Sequence, residues 1–449
     1  MTMIASSAPS TVATQTRRRL LSRPARVVGA VLAAAPLAGG CASWQRTAVP
    51  EGAARSGLSG NVELWQIYQS SPAVPRVREL FARTLRPLDA QIVDVPGAEM
   101  VQKLTVSAAG GTPPDAVFIN APWFRDCARF FQPLDALLKR DARQIDVDDF
   151  LPIGLQAATI KGQTYGLPLE VAVRVWWFNR DTLAEQGVAS PVRPGAPTKV
   201  DYRQVEEMAQ RLTFMRGDQQ VYGMYVQQNW FNVLIYVHGF GGRFLDEGHT
   251  KCLLDSPQAT AGIEYAFDLI NRRRIAPAAL TLDAHEQGNA IAMNLDNAAR
   301  AQNLRRVPNG AAWDTGPVVQ GPAAPMTFAF VYHAGIVSGS KNPDGAWAAI
   351  GEFTGKDVTR LWMEGHGWPT VRKSYLDTWI KEGQPPPETR QNVLEWLKVS
   401  PLVTFPAGYS ANVMPVAQRL MNEAIAGQRS VRDTTAALGR EITPLLERS

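Results

Sequence analysis

The first stretch of this chain with a clear rhythm is Val62 to Tyr68, a run of β-branched and aromatic residues broken by single polar positions, which predicts a strand. Apolar residues then recur at helical spacing through Val77, Phe81 and Leu85. A short strand over 91–95, a helix over 99–108 and a third strand over 115–119 follow. Strands that alternate with helices of this length predict parallel pairing through right-handed crossovers. Ligands of such sheets lie beyond the carboxyl ends of the strands, which is where Trp65, Tyr68, Asn120 and Trp123 fall.

A second unit begins with the β-prone run 171–178. It continues through helical patterns around 205–214, 231–237 and 261–270, an apolar strand over 327–332, and helices over 345–353 and 414–425. The Pro-rich stretch 384–388 is a loop. Two units agree with the nearly 390 residues that follow residue 60, more than one hydrophobic core usually supports. No P-loop, dinucleotide fingerprint or solenoid repeat interrupts the pattern.

Upstream of the first strand the pattern is of another kind. Arg17, Arg18 and Arg19 form a basic patch, and residues 27–40 are mostly apolar and end in small residues before Cys41. At about 1.5 Å per residue the apolar run spans roughly 21 Å, short of the roughly 30 Å core of a bilayer, so residues 1–40 are expected to be a signal segment that is removed. Leu37 to Cys41 resembles a bacterial lipobox, which implies lipid on Cys41 and an extracytoplasmic protein held at the membrane. Residues 16–21 also resemble a twin-arginine export signal. Residues 41–60, rich in Ala, Gly and Ser, read as a flexible tether.

Export changes the meaning of the charge. The formal +5 includes five arginines within residues 1–40, which hold no acids, so the mature chain is close to neutral. No clustered basic surface is left to suggest nucleic acid as a partner. Cys127 and Cys252 can form one disulfide or remain two buried thiols, and make no metal signature.

Four segments carry a family resemblance: Tyr165 to Glu170, Trp177 to Leu183, Gly288 to Met293 and Gly365 to Ser374. In order and spacing they resemble the extracellular solute-binding proteins of ATP-driven importers, in the branch that includes maltose-binding protein. The resemblance implies an α/β, periplasmic-binding-protein-like fold of two lobes with a hinge and an interlobe ligand cleft. Lobe 1 would comprise residues 61–168 and 334–367, and lobe 2 residues 169–333 and 368–449, with crossings near 167–172, 327–334 and 366–369. It further implies a monomer that closes on a mono- or oligosaccharide, delivers it to an ABC permease, and uses no cofactor, metal or catalytic residue.

Sugar recognition needs flat apolar faces for the ring and directional polar groups for its hydroxyls. By comparison with the maltose-binding branch, Trp230 is a sugar platform of the second lobe, or else an aromatic packing on its own lobe. Trp368, between Gly367 and Pro369, lies at a crossing. Trp123 and Asp126 match a region that supplies an aromatic and an acid, although Asp126 could equally satisfy backbone donors at a helix start. Glu170 matches the glutamate of the first crossing and could accept from hydroxyls or serve a hinge ion pair. After Met293 one aromatic platform of the branch is absent, which leaves Asp296 and Asn297 as polar contacts. Near the carboxyl end Tyr409 stands close to where the branch has a tryptophan. Maltose itself is therefore disfavoured.

Two alternatives accompany this reading. The same fold could bind a polyol or a sugar or glycerol phosphate, for which Arg174, Arg243 or Arg305 are the available cations. An extracellular glycoside hydrolase would need two carboxylates about 5–9.5 Å apart, and no local motif supports such a pair.

Overall fold

The computed structural model describes residues 58–68, 71–278, 282–366, 369–383 and 386–446. The expected signal segment, Cys41 and Trp368 lie outside the described residues, as does most of the expected tether.

The first unit forms as its pattern dictates. Strand β1 (Asn61–Gln66) buries Val62, Leu64 and Gln66 on one face. Helix α1 (Val74–Thr84) buries Val74, Val77, Leu80 and Phe81, a single stripe at i, i+3 and i+4 spacing. Strand β2 (Asp89–Asp94), helix α2 (Gly97–Ala109), strand β3 (Ala116–Ile119) and helix α3 (Ala121–Ala128) follow. β1 is parallel to both β2 and β3.

The next strand organises the molecule. β4 (Leu167–Asn179) is thirteen residues long and buried at every position. Its register is shared with β5 (Met293–Asn297), β6 (Trp313–Thr315) and β7 (Ala329–Ile336). β5 and β6 pair with the second half of β4, whereas β7 pairs with its first half and also with β3. The central strand order is β5-β4-β7-β3-β1-β2, so one sheet passes through both expected units. Parallel pairing ends with β1–β3. The strands that link the units pair antiparallel.

Helices cover this sheet. α4 (Pro257–Asn271) and α5 (Pro343–Phe353) both begin with proline, and side-chain acceptors from Ser256 and Asn342 satisfy their first free N–H groups. α5 packs on β1 and β7, while α6 (Met414–Ile425) and α7 (Val431–Leu446) pack on one another and α7 on α4.

Just after the third expected crossing the chain is held by several hydrogen bonds. Leu151 N–H donates to the Val371 carbonyl at 2.7 Å, and Ser374 donates to Asp149 through N and Oγ, both at 2.8 Å. The Arg372 guanidinium donates to the carbonyls of Ile145, Asp146 and Thr354 at 2.9–3.1 Å. Residues 371–374 are thus fastened to the 145–151 stretch.

Cys127 and Cys252 are free and buried, and burial pushes the Cys252 thiol up to about 12. No helix among the described residues is long and apolar enough to cross a membrane.

Candidate functional site

A cleft of about 380 Å³ opens where β3, β4, β5 and β7 end or exchange partners. Local sequence delivers a side chain from each direction. Asn120 terminates β3 and precedes α3, whose first turn holds Pro122 and presents Trp123. On β5, Asp296 and Asn297 lie opposite Val175 and Arg174 of β4. A 3₁₀ turn over Trp230–Val233 sends Phe231 and Asn232 to the cleft. Gly408, in the left-handed region at φ 70°, starts the wide π-helical turn Tyr409–Val413 that leads into α6 and holds Tyr409 at the wall.

Of the residues singled out in the sequence, Asn120, Trp123, Asp296, Asn297 and Tyr409 line this cleft. Burial raises the Asp296 carboxyl pKa, opposed by the charges of Arg300 and Arg174. Asp296 accepts from its neighbour Asn297 N–H at 2.6 Å and lies 4.0 Å from Arg300, which is itself paired with Glu286.

Glu170 and Tyr68 sit one layer away. The Tyr68 hydroxyl donates to the Glu170 carboxylate at 2.7 Å. Tyr332, which lines the cleft, packs its ring 5.8 Å from that of Tyr68. Burial, reinforced by the Glu170 charge, raises the pKa of both tyrosines well above the ordinary value, so each remains a neutral hydroxyl at physiological pH.

Three other residues are placed elsewhere. Trp65 donates its indole N–H to Glu63 and packs, half-buried, with Trp123 on a cluster that includes Val95, Met100, Leu104 and Phe124. Asp126 accepts from the N–H groups of Tyr409 and Ser410, both at 3.0 Å, and from the Ser410 hydroxyl. Its carboxylate fastens the Tyr409 turn to α3, a use of backbone donors of the kind that competed with ligand contact in its sequence. Trp230 is buried with its ring against Phe244 and donates its indole N–H to the Tyr409 hydroxyl at 3.0 Å. It packs on its own lobe and braces Tyr409 from behind instead of lining the cleft.

Sequence reasoning passed over Gln227, Asn232, Phe231, Phe330 and Tyr332, all at the cleft. Their polar atoms and rings carry no motif. Arg174, considered only as one cation among three, forms part of the wall. A charged residue inside the otherwise apolar run 171–178 is the signal that could have ranked it first. It is 2% exposed, and Nε donates to Asn232 Oδ1 at 2.9 Å. The guanidinium carbon lies 4.6 Å from the ring centre of Phe328, 5.0 Å from Phe330 and 5.6 Å from Phe231. Burial lowers its pKa to about 10, which still leaves it charged at neutral pH.

The sequence is 20% identical to a binding protein of Brucella abortus over 315 residues, 68% of this chain and 74% of that one. Among solved structures, a substrate-binding protein of Listeria monocytogenes in complex with cycloalternan superposes with a TM-score of 0.75 at 16% identity, covering 87% of this chain and all of that one. UgpB from Mycobacterium tuberculosis in complex with glycerophosphocholine gives 0.72 at 17% identity, covering 87% and 99%. These likenesses establish the two-lobed fold. The family of bacterial extracellular solute-binding proteins matches across residues 88–360. With that match over more than half its length, the chain belongs to the bacterial extracellular solute-binding proteins.

Proposed function

We propose that this protein captures a carbohydrate by closing two lobes around it and presents the closed form to an ABC permease, while lipid on Cys41 holds it at the membrane. The observation that carries the choice of cargo is the lining of the cleft. Aromatic faces of Trp123, Phe231 and Tyr409 are interspersed with the amides of Asn120, Gln227 and Asn229. Rings supply large apolar area at little conformational cost, and amides offer both donors and acceptors to hydroxyls. The likeness to the cycloalternan-bound protein supports the same choice. Binding without turnover is supported by the family and by two of the carboxylates, since Asp126 is engaged by the Tyr409 turn and Glu170 by Tyr68.

A thermal-shift screen of the mature chain against mono- and oligosaccharides, polyols, sugar phosphates, amino acids and divalent metals tests this reading. A ligand that binds only the native state must raise the melting temperature. A carbohydrate should give the largest rise and should also reduce the radius of gyration in solution scattering. Stabilisation by an amino acid or metal alone would remove the carbohydrate assignment, and release of hydrolysed sugar would replace binding with catalysis.

A further inference from the structure

Arg174 poses a problem that the carbohydrate reading leaves open. Its Nε donates to Asn232, but neither Nη1 nor Nη2 donates to any described group, and Nη1 is fully buried. No carboxylate among the described residues lies within 4.0 Å of it. The acid on the same wall, Asp296, lies 4.0 Å from Arg300, and its charge favours a charged Arg174 from beyond contact distance. Three phenylalanine rings lie around the guanidinium and provide no conventional hydrogen-bond acceptor. Burying a charge costs a great deal unless it is paired and hydrogen-bonded, so a fold that carries such a group fully positioned has it for a partner that arrives later.

The shape of the group narrows that partner. Arg174 sits on β4 directly opposite Asn297, with strands on both sides, so its backbone is fixed before any ligand binds. A hydroxyl can be held by an amide, and the same cleft already offers Gln227 and Asn229 for that purpose. The planar fork of a guanidinium matches two oxygens of one anion, which a neutral ring does not present. We propose that the solute carries an oxyanion, a phosphate ester or a carboxylate on a hydroxylated skeleton, seated on the Nη1/Nη2 edge of Arg174. This rests on the carbohydrate reading and adds the charge of the cargo.

The test uses paired probes on the intact mature chain: D-glucose, glucose 6-phosphate and glucuronate, then glycerol and glycerol 3-phosphate, with inorganic phosphate alongside. Calorimetry should show an acidic probe binding at least about tenfold tighter than its neutral counterpart. Arg174→Gln should weaken that probe roughly thirtyfold, as expected for a lost charge-assisted contact. Arg174→Lys should retain part of the affinity, since it keeps the charge and loses the fork. Glucose 6-phosphate against glucuronate separates phosphate from carboxylate. One measurement needs no ligand: unliganded Arg174→Gln should melt no lower than the parent chain, because it removes an unsatisfied buried charge. A large fall in that midpoint would make Arg174 structural and overturn the proposal. Neutral sugars that bind as tightly as acidic ones, unaffected by Arg174→Gln, would overturn it too and leave carbohydrate capture standing. Inorganic phosphate bound in preference to every hydroxylated probe, and lost in Arg174→Gln, would keep the anion seat and defeat the carbohydrate reading.

Discussion

Arg372 and Arg174 are both almost completely buried, at 1% and 2% exposure, and both lie against aromatic rings. Around Arg372 every guanidinium nitrogen is used: Nε and Nη2 donate to Thr354, Nη1 to Ile145 and Asp146, and the Asp149 carboxylate stands 3.6 Å away. Around Arg174 a single nitrogen is used and the aromatic rings do the rest. The same side chain at the same depth therefore serves two ends. One satisfies the backbone carbonyls of Ile145, Asp146 and Thr354, and the other faces the cleft with both Nη groups uncommitted. Burial alone does not tell them apart, whereas an account of donors and acceptors does.

The contrast is sharpest in stability. Arg372→Met should lose about 3–5 kcal/mol, since three carbonyls and Asp149 would be left without their partner in the interior. Urea unfolding monitored by tryptophan fluorescence would measure this, and a loss below about 1 kcal/mol would erase the distinction. Among the aromatic residues, Trp230→Ala should cost about 3 kcal/mol or more as a large-to-small core change. Affinity should fall as well, because Tyr409 loses the indole that holds its hydroxyl. Trp123→Ala should shift stability by only about 1 kcal/mol but weaken the cargo about tenfold or more by calorimetry. The smallest effect should come from Arg174→Gln, whose unliganded unfolding midpoint should match or exceed that of the parent chain. If Arg372→Met and Arg174→Gln unfolded alike, the two arginines would be of one kind.

Much of the fold was legible because it depends on periodicity. The stripe through Val77 and Phe81 and the long run within residues 167–179 required no knowledge of distant partners to be read as helix and strand. Strand direction across the units was not legible, since the pairing of β7 with β3 joins residues more than two hundred positions apart. The cleft shows the same division. Asn120 and Trp123 could be placed from the end of β3, and Tyr409 from its resemblance alone. Trp230 could not, because which side of a 3₁₀ turn faces the cleft depends on where Phe244 and Tyr409 pack. Asp126 illustrates the general difficulty: a carboxylate near a helix start has the same sequence whether it meets backbone donors of a distant turn or a hydroxyl of a ligand.

β4 has one more consequence, for the order in which the chain can assemble. Every strand that pairs with it comes from beyond residue 292. Until that part of the chain arrives, thirteen consecutive buried positions have no edge to hydrogen-bond and no stable place in either lobe. Contacts of such long sequence separation form slowly, since the intervening loop must be closed before the pairing is gained. Completion of the sheet on both sides of β4 therefore waits on the chain beyond residue 292.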